Sequence, residues 1–183
     1  NEVVNGDIHT ANMKAAGLTD RDQSKKFIYS FLYGAGPAKI GKVIGGTPKE
    51  GEELITRFLS NMPKLKKLRD DVLKWSKDGT IPALDGRRLH IRSPHAALNT
   101  LLQGAGAIIC KQWLVHITDH IRGSGVDAKL VASIHDEYQF EVAKKDATKF
   151  GQITKDAMKD TEKTLKVKCP LDCDFKIGTT WKE

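Results

Sequence analysis

The sequence predicts an α+β fold, with a helical first part and, in the second, antiparallel strands beside a long helix. Three observations carry this prediction. Apolar residues recur at three- and four-residue spacing through the first part of the chain. Two short alternating segments, 130–134 and 138–142, are separated only by His135-Asp136-Glu137, the pattern of a hairpin. Residues 95–122 carry Leu98, Leu101, Leu102, Ile108, Ile109, Trp113 and Ile117 at helical spacing, enough for one long helix. Strands that follow each other directly favour α+β over a doubly wound sheet.

The elements follow in order. Residues 1–16 predict a helix interrupted at Gly6-Asp7. Thr19 and Asp22 have capping-box spacing and introduce a helix over about 21–33, with Phe27, Ile28, Phe31 and Leu32 as its apolar face. Gly34, Gly36 and Pro37 end it. A further helix is expected over 49–61 through Leu54, Ile55, Phe58 and Leu59. It breaks at Pro63, and helical spacing resumes over 64–77 through Leu65, Leu68, Val72 and Trp75. Asp78-Gly79 and Asp85-Gly86 signal turns, and 88–92 alternates like a strand. After the hairpin, a helix is expected over 145–165 and a short strand region toward Glu183.

Apolar residues make up 39% and charged residues 29% of the 183, which excludes a disordered chain. The net charge of +7 fits either a basic protein with no special partner or one with a polyanionic partner, for which lysine and arginine gain affinity by releasing counterions from phosphates; composition does not separate the two. No apolar run reaches membrane-spanning length, so no membrane role is expected. Three cysteines, an odd count with no signal peptide, point to a reducing cytoplasm. Cys169 and Cys173 form an isolated pair, a poor zinc candidate.

Arg21, Lys25, Tyr29 and Tyr33 recur every four residues. Four helical steps advance about 400°, so the four side chains form one slowly winding stripe. Charge at one end and aromatic planes at the other is what a nucleotide needs for its phosphates and its sugar and base. The pattern Arg21-x-x-x-Lys25-x-x-x-Tyr29-x-x-x-Tyr33-Gly34 resembles motif B, on the O helix of the fingers, in family A (polymerase I-type) DNA polymerases. The resemblance implies Arg21 and Lys25 on the incoming triphosphate, Tyr29 against its sugar, and Tyr33-Gly34 at the templating base. Gly-Asp-Ile-His at 6–9, followed by Thr10, is similar to the stretch before that helix and implies His9 as another phosphate contact. A tyrosine at position 29 resembles the phage-type enzymes and goes in the family with tolerance of dideoxynucleotides.

Val131, Ile134, Phe140 and Val142 are expected to hold the His135-Asp136-Glu137 turn in a buried hairpin. This turn resembles motif C of the same family, which implies Asp136 as a catalytic metal ligand, Glu137 as a lesser acidic partner and His135 as a contact to the primer terminus. Nucleotidyl transfer by two Mg²⁺ ions needs a carboxylate cluster. Adjacent residues on an extended strand point to opposite faces, so Asp136 and Glu137 are poorly placed to bridge two ions unaided. In the family the second aspartate belongs to motif A, an Asp followed by Leu/Ile-Glu-x-Arg. This sequence contains no such segment.

Leu84-Asp85-Gly86-Arg87-Arg88, with His95, Asn99 and Gln103 at four-residue spacing, is similar to the family's palm segment and the helix after it. Arg87 and Arg88 are expected on phosphates. His95, Asn99 and Gln103 are expected on one helix face, reading minor-groove acceptors. The resemblance covers residues 6–181 and departs at Trp181-Lys182-Glu183, where many relatives end in a histidine. It implies a fragment of a right-hand polymerase: fingers over 1–82 and the C-terminal part of the palm over 83–183.

The expected partners are primer–template DNA, dNTP and a second polypeptide or upstream segment carrying motif A, the thumb and any exonuclease. Two Mg²⁺ ions would act once the missing aspartate is supplied, and the chain alone is expected to be inactive. Its expected location is the cytoplasm, the host's if a phage encodes it. The alternative is a catalytically inert fragment that only grips DNA or nucleotide. A relationship to RNA polymerases is a further reading, disfavoured by Tyr29 and the Asp136-Glu137 pair.

Overall fold

The computed structural model describes residues 6–180. The chain divides into two compact units between Gly104 and Ala105.

In the first unit, helix α1 (Ile8–Ala16) starts at Asp7, whose carboxylate accepts from the His9 amide. Asp7 therefore caps a helix, and residues 1–5 of the expected first helix lie outside the described residues. Helix α2 (Arg21–Leu32) is capped by Asp20, which accepts from the Asp22 amide. The expected Thr19 cap is thus one residue early. Asp20 is itself a strong N-cap type and holds the extended backbone that a cap requires. Gly34 ends the segment at φ 81°, a left-handed conformation that glycine adopts without strain.

A seven-residue helix, α3 (Pro37–Val43), was not legible as periodicity, because it spans only two turns. Helix α4 (Pro48–Asn61) opens with a full capping box between Thr47 and Glu50, with Pro48 at its first position. The two helices approach at Gly41 and Gly51, where an added Cβ would run into the carbonyl oxygens of Thr47 and Pro37, respectively. Helix α5 (Pro63–Trp75) runs into a short 3₁₀ turn, Ser76–Asp78. Strands β1 (Thr80–Pro82) and β2 (Arg88–His90) then pair antiparallel with Ile81 opposite Leu89.

The α2 and α4 faces meet in an aromatic core. Phe58 stands edge-on to Phe27 and Phe31 at centroid distances of 5.3 and 5.6 Å, and Ile40, Leu54 and Leu98 complete the cluster. Burying side chains of this size contributes about 1.5–3 kcal/mol each, which fixes α2 by its inner face alone. A smaller cluster joins Val72 and Ile81 to Ala97. It ties residues 83–104 to the first unit, so the compact division falls later than the 82/83 boundary drawn between fingers and palm.

Helix α6 (Ala97–Arg122) follows a 3₁₀ turn at Pro94–Ala96. In the second unit, Trp113 and Ile117 of this helix pack with Phe150, Ile153, Ala157 and Met158 of α7 (Ala147–Leu165). The Trp113 indole donates to the Thr154 carbonyl at 2.8 Å. Strands β3 (Ala128–Ile134) and β4 (Glu137–Val142) form a two-stranded antiparallel sheet. Tyr138, Phe140 and Val142 of β4 reach this core, whereas Leu130, Val131 and Ile134 of β3 are exposed.

The hairpin is thus buried mainly through β4, with Ala128 at the start of β3 also packed on the core, contrary to the expectation for Val131 and Ile134. A register shift between Leu130 and Ala132 breaks the strict alternation of β3. No strand forms over 166–180. Leu171 and Cys173 instead pack on the core, and the Phe175 ring lies where a Cβ on Gly151 would be. The terminal Trp181-Lys182-Glu183 lies outside the described residues. Among those residues, no helix is long and apolar enough to cross a membrane.

Candidate functional site

Helix α2 buries Phe27, Ile28 and Phe31 and turns Arg21, Lys25, Tyr29 and Tyr33 outward, as the four-residue stripe predicted. Tyr29 and Tyr33 are 47% and 58% exposed, so neither belongs to the buried core. Arg21 and Lys25 occupy the first two turns of α2. Cations there oppose the helix dipole by about 0.3–1 kcal/mol, so nothing in the helix itself favours them. What they add is positive potential at an end that already attracts anions.

Arg21 has a partner: its Nε and Nη2 donate to the two Asp7 oxygens at 3.0 and 3.3 Å. Lys25 has no hydrogen-bond or ion-pair partner among the described residues. His9, in the first turn of α1, lies 6.5 Å from the Tyr29 ring at a tilt of 52°. Its Nδ1 is buried without a hydrogen-bond partner among the described residues. The structure therefore gathers His9, Arg21 and Tyr29 around the α1–α2 corner.

At the far end of the stripe, a Cβ on Gly34 would strike the His95 carbonyl oxygen. The close approach brings Tyr33, Gly34 and His95 together and requires glycine. His95, however, sits in the 3₁₀ turn and not on α6. The α-helix begins at Ala97, so of the face expected for His95, Asn99 and Gln103 only Asn99 and Gln103 lie on α6. Arg87 is paired with Asp85 at 2.6 Å, and Arg88 donates to the Thr80 hydroxyl at 2.6 Å. Both remain exposed but are already engaged within the fold.

The carboxylate turn is tighter than expected. Glu137 is the first residue of β4, opposite Ile134, which leaves His135-Asp136 as a two-residue loop. His135 takes φ 53°, the left-handed conformation that such hairpin loops demand. Asp136 is exposed, with no hydrogen-bond or ion-pair partner among the described residues. Glu137 accepts from the Gln139 amide at 2.9 Å. The half-buried Cys110 thiol is pushed up by burial and then by the Asp136 charge.

Both carboxylates are hard oxygen donors that suit a magnesium ion. Among the described residues, no group of three or more His, Cys, Asp or Glu side chains is placed to hold a metal ion.

The architecture carrying these residues is that of a polymerase domain. Over 93% of its length the chain resembles the POL domain of Pol1 from M. smegmatis, solved in complex with DNA primer-template and dNTP, at a TM-score of 0.76 and 21% identity. It covers 33% of that chain. A model of DNA polymerase family A matches residues 4–183, and the chain belongs to that family. It is 40% identical over 205 residues to the DNA-directed DNA polymerase of Enterobacteria phage T3, and 39% identical over 203 residues to that of Escherichia phage T7. These matches take in 100% and 98% of this chain but 29% of each relative, so the chain spans less than a third of their length.

Proposed function

We propose that the chain supplies the fingers and the C-terminal part of the palm of a template-directed DNA polymerase, which adds dNTPs to a primer 3′ end. The observation that carries the reading is Asp136: an exposed carboxylate, without an ion-pair partner among the described residues, at the tip of a two-residue hairpin loop in a family A chain. On this reading Lys25, Arg21 and His9 bind the triphosphate. Tyr29 lies against the sugar, and Tyr33 and Gly34 meet the templating base. Asn99, Gln103, His95, His135, Arg87 and Arg88 contact primer–template DNA, the last two by exchanging Asp85 and Thr80 for phosphate.

Asp136 would hold magnesium, with Glu137 as a lesser ligand once Gln139 releases it. Two such ions, when bound, supply positive charge at the attacking 3′ oxygen and at the leaving pyrophosphate. The chain's own residues neutralise the triphosphate and orient the sugar and base. The ligands still required would come from a motif A segment, and the exposed edge of β3 is the strand we assign to pair with it. Leu130, Val131 and Ile134 of that strand are 45%, 58% and 38% exposed, apolar side chains left for a further element to cover.

Primer extension tests the whole reading. The chain alone is expected to extend no primer, and Mg²⁺-dependent extension should appear when a polypeptide bearing motif A and the thumb is added. Robust extension by the pure chain would remove the requirement for a second aspartate. DNA binding that never becomes extension with any such polypeptide would identify an inert fragment. Comparing dNTP with rNTP incorporation by the assembled enzyme checks the sugar preference.

Within the same assembled enzyme, Tyr29→Phe should reduce dideoxynucleotide use relative to dNTP, because the phenol is the only polar group of that side chain. The ratio of the two incorporation rates is the readout. An unchanged ratio would take Tyr29 away from the sugar.

A further inference from the structure

The stripe on α2 accounts for Arg21 but not for the carboxylate that holds it. Asp7 lies outside the motif-bearing helix, yet it makes four contacts at once. Its Oδ1 accepts from the His9 amide at 3.0 Å and from Arg21 Nη2 at 3.3 Å. Its Oδ2 accepts from the Thr10 hydroxyl at 2.7 Å and from Arg21 Nε at 3.0 Å. The first and third fix the carboxylate on the end of α1; the other two seize the guanidinium from one side.

An arginine presents five N–H donors in a rigid planar fork. Side-on pairing through Nε and Nη2 leaves the Nη1–Nη2 edge open. That edge can make a bidentate contact to a phosphate while Asp7 stays in place. The pair is surface-exposed, at 52% and 44% for the two side chains, so solvent screening leaves it little role in stability. Its effect is on direction.

We propose that Asp7 is a positioning residue for the triphosphate. By gripping the Nε edge of Arg21 it sets the free edge of the guanidinium, and through the same carboxylate it fixes His9 beside Tyr29. This inference rests on the reading of Arg21 as a triphosphate contact. Arg21, whose donation is the main cause, followed by Thr10, holds the Asp7 carboxyl well below its ordinary value of 3.8. A group lowered in this way keeps its partner above that ordinary value and loses it only as the pH falls through the lower one. The grip therefore persists at every pH above about 4.

Asp7→Asn separates positioning from capping, because asparagine caps helices as well as aspartate does. In the polymerase assembled with its motif A polypeptide, Asp7→Asn should leave the melting temperature of the chain unchanged. It should raise the KM for dNTP about tenfold, with a smaller change in kcat. Arg21→Lys, which keeps the charge but not the fork, should give a similar rise. In an Arg21→Ala background, Asp7→Asn should add nothing further.

An unchanged KM in Asp7→Asn, while Arg21→Ala raises it, would make Asp7 a helix cap only and overturn the proposal alone. A lowered KM would show that Asp7 competes with the triphosphate, and would overturn it too. If Arg21→Ala itself leaves KM unchanged, the reading of Arg21 falls and the proposal falls with it.

Discussion

Asp136→Ala is expected to slow single-turnover primer extension by the assembled polymerase about a thousandfold or more, while DNA affinity changes little. The magnitude follows from the proposed role. Charge stabilisation by a bound ion is worth several kcal/mol, and about 1.4 kcal/mol corresponds to tenfold in rate. The fold should not suffer, because Asp136 is an exposed loop residue whose side chain has no partner among the described residues. Substitutions of that kind fall within about 0.5 kcal/mol of neutral. Rapid-quench extension gives the rate, fluorescence anisotropy with labelled primer–template gives the affinity, and the two should separate cleanly. Extension within tenfold of the parent enzyme would place the essential carboxylate elsewhere.

Lys25→Ala should lower kcat/KM for dNTP about 10- to 100-fold, the range for a hydrogen bond to a charged group of about 1.5–3 kcal/mol. Loss of binding alone would raise KM with kcat unchanged; loss of an interaction made only in the transition state would lower kcat as well. The same substitution should leave the melting temperature unchanged or slightly raised, since it removes a cation that opposes the α2 dipole. A fall in activity together with unfolding would mean that Lys25 serves the fold. Steady-state kinetics beside a thermal melt distinguishes the two.

The parts of the molecule that could be read from sequence are those where one residue pattern has one physical solution. The stripe on α2 was legible because Phe27, Ile28 and Phe31 claim the inner face and leave Arg21, Lys25, Tyr29 and Tyr33 no place but outside. The hairpin was legible because its two strands are separated by too few residues for anything but a tight turn. Its burial was not, because the pattern cannot reveal the shifted register near Val131 or the bare outer side of β3.

Local competition defeated other expectations. Thr19 and Asp20 are both good caps, and backbone geometry chose Asp20. A 3₁₀ turn precedes the helix and holds His95, which the spacing placed on one face with Asn99 and Gln103. Asp7 was missed as a partner of Arg21 because the two are fourteen residues apart and meet only once α1 and α2 fold. Its signature as a cap, an aspartate just before a helical run, was available in the sequence.

The bare edge of β3 also bears on how the chain can be handled. A strand with unpaired amide and carbonyl groups, bearing Leu130, Val131 and Ile134, is a template for self-association. No lysine sits among these three; Lys129 alone guards the edge, near its start. Copies of the chain can compete to fill each other's edges, so assays of the chain alone are best run at low protein concentration. A charged residue introduced at Val131 would guard that edge, as lysines do on natural edge strands.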